Sequence, residues 1–232
     1  MAETTLTWLG HSAFRLDTAD GKRIYVDPFL TGNPTCPESE QAPERVDIIA
    51  LTHGHGDHVG DTVALAERHG CTVVALVELA AWLGRNGVDE GHLVAPNKGG
   101  TVSVDGTTFT LTVAFHSGSA PDGSYAGEPS GIVVGTSDGK TLYFAGDTCV
   151  FGDMQLIGRM YRPDVAIIPI GDHYTMGPRQ AAVAVELLGV QRIVPCHWGT
   201  FGVLTGTPDE LARLAPSGVT IERIEPGGSV TV

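Results

Sequence analysis

The sequence predicts an α/β chain built in four layers, an αββα sandwich in which two sheets face each other and helices cover their outer sides. Two observations carry this prediction. Short apolar strand patterns are followed by helical ones, and the succession occurs twice, as two helix-covered sheets require. Ligand-type residues also recur just after apolar strands and just before Gly or Ser, as in loops gathered at one edge of packed sheets. With 232 residues, 42% hydrophobic and 18% charged, the chain can bury a substantial core and is most simply one domain, 1–232.

In the first half, Leu6 to Leu9, Ala13 to Leu16, Arg23 to Val26 and Val46 to Leu51 read as strands. Helices are predicted near Val59 to His69, where Val59, Val63 and Leu65/Ala66 oppose Asp61, Glu67 and Arg68, and near Val77 to Arg85. The second half repeats the order: strands near Val102, Phe109, Val133 and Phe144, a helix at Met154 to Tyr161 and a strand at Val165 to Pro169. A helix at Arg179 to Leu188, with Gly177-Pro178 as N-cap and first turn, leads to a strand at Arg192 to Pro195 and a helix near Pro208 to Leu214. Segments Gly32 to Pro43 and Pro121 to Ser130, rich in Pro and polar residues, read as surface loops that would shape a pocket.

The densest chemical signal is Thr52-His53-Gly54-His55-Gly56-Asp57-His58, an HxHxDH run at the end of an apolar strand. Any one of these histidines alone reads best as a solvated loop residue. Four ligand types separated by single glycines read as half of a two-metal site, because Gly54 and Gly56 let the backbone pass close to an ion. In extended backbone positions i, i+2 and i+4 face the same way, so His53, His55 and Asp57 are expected to converge, while the turn into the helix aims His58 separately.

One loop cannot supply a dinuclear centre, and further ligands do stand at other strand ends. Thr107 to Phe115 ends on His116 before Ser117-Gly118-Ser119; Thr141 to Ala145 ends on Gly146-Asp147-Thr148; Arg192 to Pro195 ends on Cys196-His197-Trp198-Gly199.

With these runs the chain resembles the metallo-β-lactamase superfamily, and within it the small metal-dependent hydrolases related to ascorbate-6-phosphate lactonase. Trp8-Leu9-Gly10-His11-Ser12, Val26-Asp27-Pro28 and Tyr174-Thr175-Met176-Gly177-Pro178 extend the likeness over nearly the whole chain. The resemblance implies that His53, His55 and His116 hold one metal, that Asp57, His58 and His197 hold the other, and that Asp147 bridges them. Two divalent ions against two carboxylates leave a local charge of about +2, which attracts an anionic group. It also implies hydrolysis: the ions bind a bridging water and lower its pKa toward about 7, Asp57 orients the hydroxide, and Asp147 holds the ions together. Mixed His and carboxylate donors suit Zn²⁺ first, and also Mn²⁺, Fe²⁺ or Ni²⁺. The implied substrate is a lactone or phosphorylated small molecule, with a phosphodiester second. The alternative is an iron-dependent oxidoreductase on the same fold; a single iron would not need Asp57, His58 and His197.

Other positions carry weaker expectations. His11 and Asp27 are read as partners that orient ligand imidazoles rather than as ligands, the other reading being turn stabilisation. His173 stands where the family more often has Asn, and reads either as a substrate contact or as an exposed loop residue. His69, beside Gly70 at a helix end, and His92, in a polar loop, read as structural. The amides at Gly177-Pro178 could hold phosphate, an unspecific signal.

Two motif matches fail. Gly135-Thr136-Ser137-Asp138-Gly139 fits GxSxG but joins two strands, whereas a nucleophile elbow needs strand, turn and helix. Gly139-Lys140-Thr141 lacks the upstream glycine of a phosphate loop, since that position is Val134. Cys36, Cys71, Cys149 and Cys196 form no CxxC pair and read as reduced thiols; Cys149 and Cys196 stand close in sequence to Asp147 and His197.

A net charge of −13 argues against long nucleic acid as a partner, because phosphate-backbone affinity depends on Lys and Arg. No apolar run has the length of a membrane span, and the first residues lack a signal-peptide pattern. The expectation is a cytoplasmic protein, off the membrane, whose substrate is selected by its own loops or by a neighbouring subunit of a homo-oligomer.

Overall fold

Strand direction is what gathers the ligand-type residues at one edge. The computed structural model describes residues 2–232, with fourteen strands and six α-helices among them. The first half holds β1 (Thr5–Trp8), β2 (Phe14–Asp17), β3 (Arg23–Val26), β4 (Ile48–Ala50), α1 (Gly56–Val59), α2 (Thr62–His69), β5 (Thr72–Val74), α3 (Val77–Arg85) and β6 (Leu93–Val94). The second holds β7 (Thr101–Val104), β8 (Thr107–Val113), β9 (Ser130–Gly135), β10 (Thr141–Phe144), α4 (Met154–Tyr161), β11 (Val165–Pro169), α5 (Pro178–Leu188), β12 (Arg192–Cys196), α6 (Pro208–Leu214), β13 (Thr220–Ile221) and β14 (Ser229–Thr231). Each half forms a mixed sheet, ordered β14-β1-β2-β3-β4-β5-β6 and β13-β12-β11-β10-β9-β8-β7. The last strand returns to pair with β1, tying the chain's end to its beginning.

Burial shows the four layers directly. Leu6, Phe14, Ile24 and Ile48 of the first sheet pack with Phe109, Ile132, Leu142 and Ile167 of the second, forming the inter-sheet core. On the first sheet's outer face, Tyr25, Ile49 and Val73 meet Leu65, Leu79 and Leu83 of α2 and α3. On the second's, Tyr143, Ala166 and Ile168 meet Ile157, Val185 and Leu211 of α4, α5 and α6. This is the predicted αββα sandwich.

Strands β1, β3 and β4 run one way in the first sheet, as do β8, β10, β11 and β12 in the second, because each antiparallel partner lies between two strands of like direction. His11, Asp27, His53, His116, Asp147 and His197 all follow carboxyl ends of these strands. Crevices beyond such ends are where open α/β sheets place their ligands.

The HxHxDH run departs from its expected geometry. Strand β4 stops at Ala50, and α1 begins at Gly56, so Asp57 is helical rather than extended. Strand alternation therefore does not set its direction. The single predicted helix also divides, at Gly60, whose φ is +44°. A Cβ there would meet the Pro28 carbonyl oxygen at 2.4 Å, and Asp61 is held by the Leu30 and Thr31 amides at 2.9 and 2.8 Å. The GxSxG segment is a hairpin turn between β9 and β10, with Thr136 N donating to Lys140 O at 2.9 Å. All four cysteines are unpaired, and only Cys149 is exposed. No helix among the described residues is long and apolar enough to cross a membrane.

Candidate metal centre

The loops bring the predicted residues into two adjoining clusters. His53, His55 and His116 offer ring nitrogens within 4.8 Å of one another, as do the donor atoms of His11, Asp57, His58 and His197. Asp147 lies between these clusters: its Oδ2 is 3.1 Å from His197 Nε2, 3.4 Å from His58 Nε2 and 3.7 Å from His116 Nε2. His11, read from the sequence as a partner of the ligands, stands in the second cluster with its Nε2 3.0 Å from Asp57 Oδ2.

Buried donor atoms at the clusters are left without hydrogen bonds. His58 Nε2 and Asp147 Oδ1 are buried without a hydrogen bond. His53 Nε2 and His55 Nδ1 face each other at 3.0 Å. At that distance an N–H of one ring can donate to the lone pair of the other, and two lone pairs can equally share one cation. The donor set of imidazoles and carboxylates therefore fits divalent metal.

Further hydrogen bonds fix the rings. Asp27 accepts from Thr52 N at 2.8 Å and from Thr52 Oγ1 at 2.6 Å, and its Oδ2 is 2.7 Å from His58 Nδ1. With its proton on Nδ1, His58 presents Nε2 as a lone-pair donor. Thr52 Oγ1 also lies 3.0 Å from His53 Nδ1 and orients that ring in the same way. The His11 carbonyl accepts from Trp8 Nε1 and from His197 N, each at 2.9 Å, joining the first sheet's loop to the second's. His11, Asp27 and His197 all have left-handed backbone, with φ of 53°, 48° and 53°, a conformation that costs a non-glycine residue about 1–3 kcal/mol.

The electrostatics divide the histidines. Burial holds His53 well below the ordinary histidine range and lowers His116. Burial likewise brings His11 down to about 4 against the opposing Asp57 hydrogen bond. At His58 burial acts downward, but Asp147 and Asp27 outweigh it and raise the ring well above its usual value. Burial would raise both carboxylates; His11 and His58 instead depress Asp57, and His58 and His197 depress Asp147.

Other predicted positions lie apart. His173 is exposed at φ 60° and packs edge-on against Tyr174, ring centroids 4.4 Å apart. The Gly177 amide donates to Gln180 Oε1 at 2.9 Å, so it is not free for phosphate. Cys196 is a core residue whose thiol burial pushes well up. A cleft of about 580 Å³ opens beside the clusters, lined by His55, Asp57, His116, Asp147 and His197 and also by Ser117, Tyr174, Phe201 and Val203. Phe201 and Val203 were not singled out from sequence, and Tyr174 stood out only as part of the run that carries the family resemblance.

Residues 22–198 match the beta-lactamase superfamily domain family. The chain belongs to the metallo-β-lactamase superfamily. It is 50% identical over 215 residues to a UPF0173 metal-dependent hydrolase of Herpetosiphon aurantiacus, covering 91% of this chain and 89% of that one. A UPF0173 metal-dependent hydrolase of Methanosarcina mazei is 42% identical over 237 residues, covering 99% of both. Among solved metallo-β-lactamase-like folds, the metallo hydrolase Igni18 of Ignicoccus hospitalis superposes with a TM-score of 0.86 at 34% identity, covering 100% of this chain and 99% of the other. The diiron β-hydroxylase CmlA of Streptomyces venezuelae shares the fold at a TM-score of 0.75 and 17% identity, this chain covering 55% of it.

Proposed function

We propose that this chain is a metal-dependent hydrolase with a dinuclear centre, in which His53, His55 and His116 hold one divalent ion, Asp57, His58 and His197 hold the other, and Asp147 bridges them. The observation that carries this reading is Asp147 Oδ2, which lies within 3.7 Å of Nε2 atoms from both clusters. Family membership and relatives named as metal-dependent hydrolases support it.

Bound there, two divalent ions supply a water acidic enough to ionise near neutral pH and an electrostatic sink for the developing oxyanion. Zn²⁺ suits the donors best, with Mn²⁺, Fe²⁺ and Ni²⁺ as substitutes. The protein residues then have distinct tasks. Asp57 is partly exposed at the cleft, where its carboxylate orients the attacking water. His11 holds that carboxylate through the 3.0 Å bond. Asp27 keeps His58 in the tautomer that offers Nε2. The substrate is a small molecule that is anionic or becomes so at the reacting centre: a lactone or phosphorylated compound first, a phosphodiester second.

CmlA bears on the oxidoreductase alternative, because a diiron β-hydroxylase superposes on this fold over 55% of its length. The number of ions therefore does not separate the readings; the reaction does. Asp147→Ala, assayed with p-nitrophenyl acetate and bis(p-nitrophenyl) phosphate alongside metal analysis, tests the proposal. Metal and hydrolysis should fall together. Wild-type turnover by a metal-free variant contradicts the role given to Asp147.

A further inference from the structure

His11 has two parts open to it, and the choice turns on a residue outside both clusters. Its ring is fully buried, so each nitrogen finds its partner within the site. Nε2 lies 3.0 Å from Asp57 Oδ2, and Nδ1 lies 3.0 Å from Thr200 Oγ1. A neutral imidazole carries one proton. With that proton on Nε2, His11 donates to Asp57 and holds the carboxylate. With it on Nδ1, His11 donates to the Thr200 oxygen, and Nε2 presents a lone pair among the donor atoms of Asp57, His58 and His197, as a fourth ligand of the second cluster. The Nε2–Asp57 contact fits both parts, since two ligands of one ion also stand close together.

Thr200 bears directly on that choice. It is buried on the loop after β12, three residues beyond His197, so its hydroxyl reaches from the second sheet to a ring carried by the first. Two acceptors are in its reach, His11 Nδ1 at 3.0 Å and the Trp198 carbonyl at 3.4 Å. The second is long for an O–H···O bond, which spans about 2.5–3.0 Å, so the hydroxyl proton is directed to Nδ1. The outcome matters for the chemistry: a hydrolytic site keeps a coordination position for water, and a fourth protein ligand in this cluster would compete for it.

We infer that Thr200 is a positioning residue of the metal centre: its hydroxyl donates to His11 Nδ1, places the ring proton on Nε2, and so makes His11 the holder of Asp57 and keeps it out of the ligand set. This rests on the dinuclear reading.

The test is long-range ¹H–¹⁵N correlation spectroscopy of the zinc-loaded protein labelled with ¹⁵N-histidine, the His11 signals being assigned by their loss in His11→Asn. The expected result is a His11 ring protonated at Nε2 and bare at Nδ1. Thr200→Val keeps the shape and removes the hydroxyl; it should abolish the single tautomer and weaken one of two zinc-binding steps about 10–100-fold, the scale for partners that orient ligands, read by competition with a chelating indicator. Thr200→Ser, which keeps the hydroxyl and loses the methyl, should recover both readouts. A wild-type His11 protonated at Nδ1, or bound to zinc through Nε2, overturns the inference whatever the variants do. So does a Thr200→Val protein with the wild-type tautomer and affinities, or a loss in Thr200→Ser that Thr200→Val does not share, which would assign the role to methyl packing. Fewer than two zinc ions per chain, with His11 protonated at Nε2 and the tautomer lost in Thr200→Val, overturns the dinuclear reading and leaves the Thr200–His11 pairing standing.

Discussion

His11 Nε2 lies 3.0 Å from Asp57 Oδ2, linking the loop after β1 to the first turn of α1. Burial keeps His11 neutral, so its one ring proton goes to Asp57 while Nδ1 accepts from the Thr200 hydroxyl at 3.0 Å. The carboxylate nearest the cleft is thus held by a residue 46 positions away in sequence.

Replacing His11 by Ala should release Asp57 and lower metal affinity about 10–100-fold, as loss of a ligand-orienting partner does. Competition with a chelating indicator measures this. Since His11 sits in the cluster that also contains His58 and His197, one of two binding steps should be affected; two unchanged steps would contradict the assigned role.

Asp27→Asn isolates the orientation of His58. Asn tolerates the left-handed backbone at this position, but its amide nitrogen cannot accept the Nδ1 proton. A loss of about 10–100-fold in metal affinity is expected, with little change in the circular dichroism of the fold. Unaltered affinity would show that the 2.7 Å contact does not control which nitrogen His58 presents.

Gly60→Ala probes the break between α1 and α2. A Cβ would meet Pro28 O at 2.4 Å and Phe29 Cα at 2.5 Å, both backbone atoms, at a positive φ. Destabilisation by more than about 1 kcal/mol is expected, read from denaturant midpoints, together with weakened metal binding because Asp27 adjoins Pro28.

The metal-free protein should lose stability as pH falls from 7 to 5. His11, His53 and His116 have folded values below the ordinary 6.5, so their contribution is complete above that value and is lost as pH falls toward the folded values. His58 is raised, so its contribution is present below 6.5 and is lost as pH rises through the folded value. Below 6.5 the His58 contribution no longer changes, so the three lowered rings set the sign. Melting temperatures that rise on acidification over this interval would contradict it.

Much of the site was legible because metal chemistry needs few residue types at high density. His53, His55 and His58 stood out in the HxHxDH run, and His116, Asp147 and His197 at the ends of apolar strands. The direction of Asp57 could not, because α1 starts at Gly56 and the break at Gly60 depends on contact with Pro28 and Phe29. The His11–Asp57 bond was equally hidden, being made by tertiary packing. Strands β5, β6, β13 and β14 are two or three residues long, too short to show a period. Phe201 and Val203 follow the His197 loop without any regular pattern, and their place at the cleft emerges only when that loop is folded against Tyr174.

The most direct measurement is anomalous X-ray diffraction from crystals of protein purified without chelator, with elemental analysis of the same preparation. The account predicts two metal peaks per chain, one among His53, His55 and His116 and one among Asp57, His58 and His197, with Asp147 between them. A single peak at full loading, or two peaks without Asp147 between them, would contradict it.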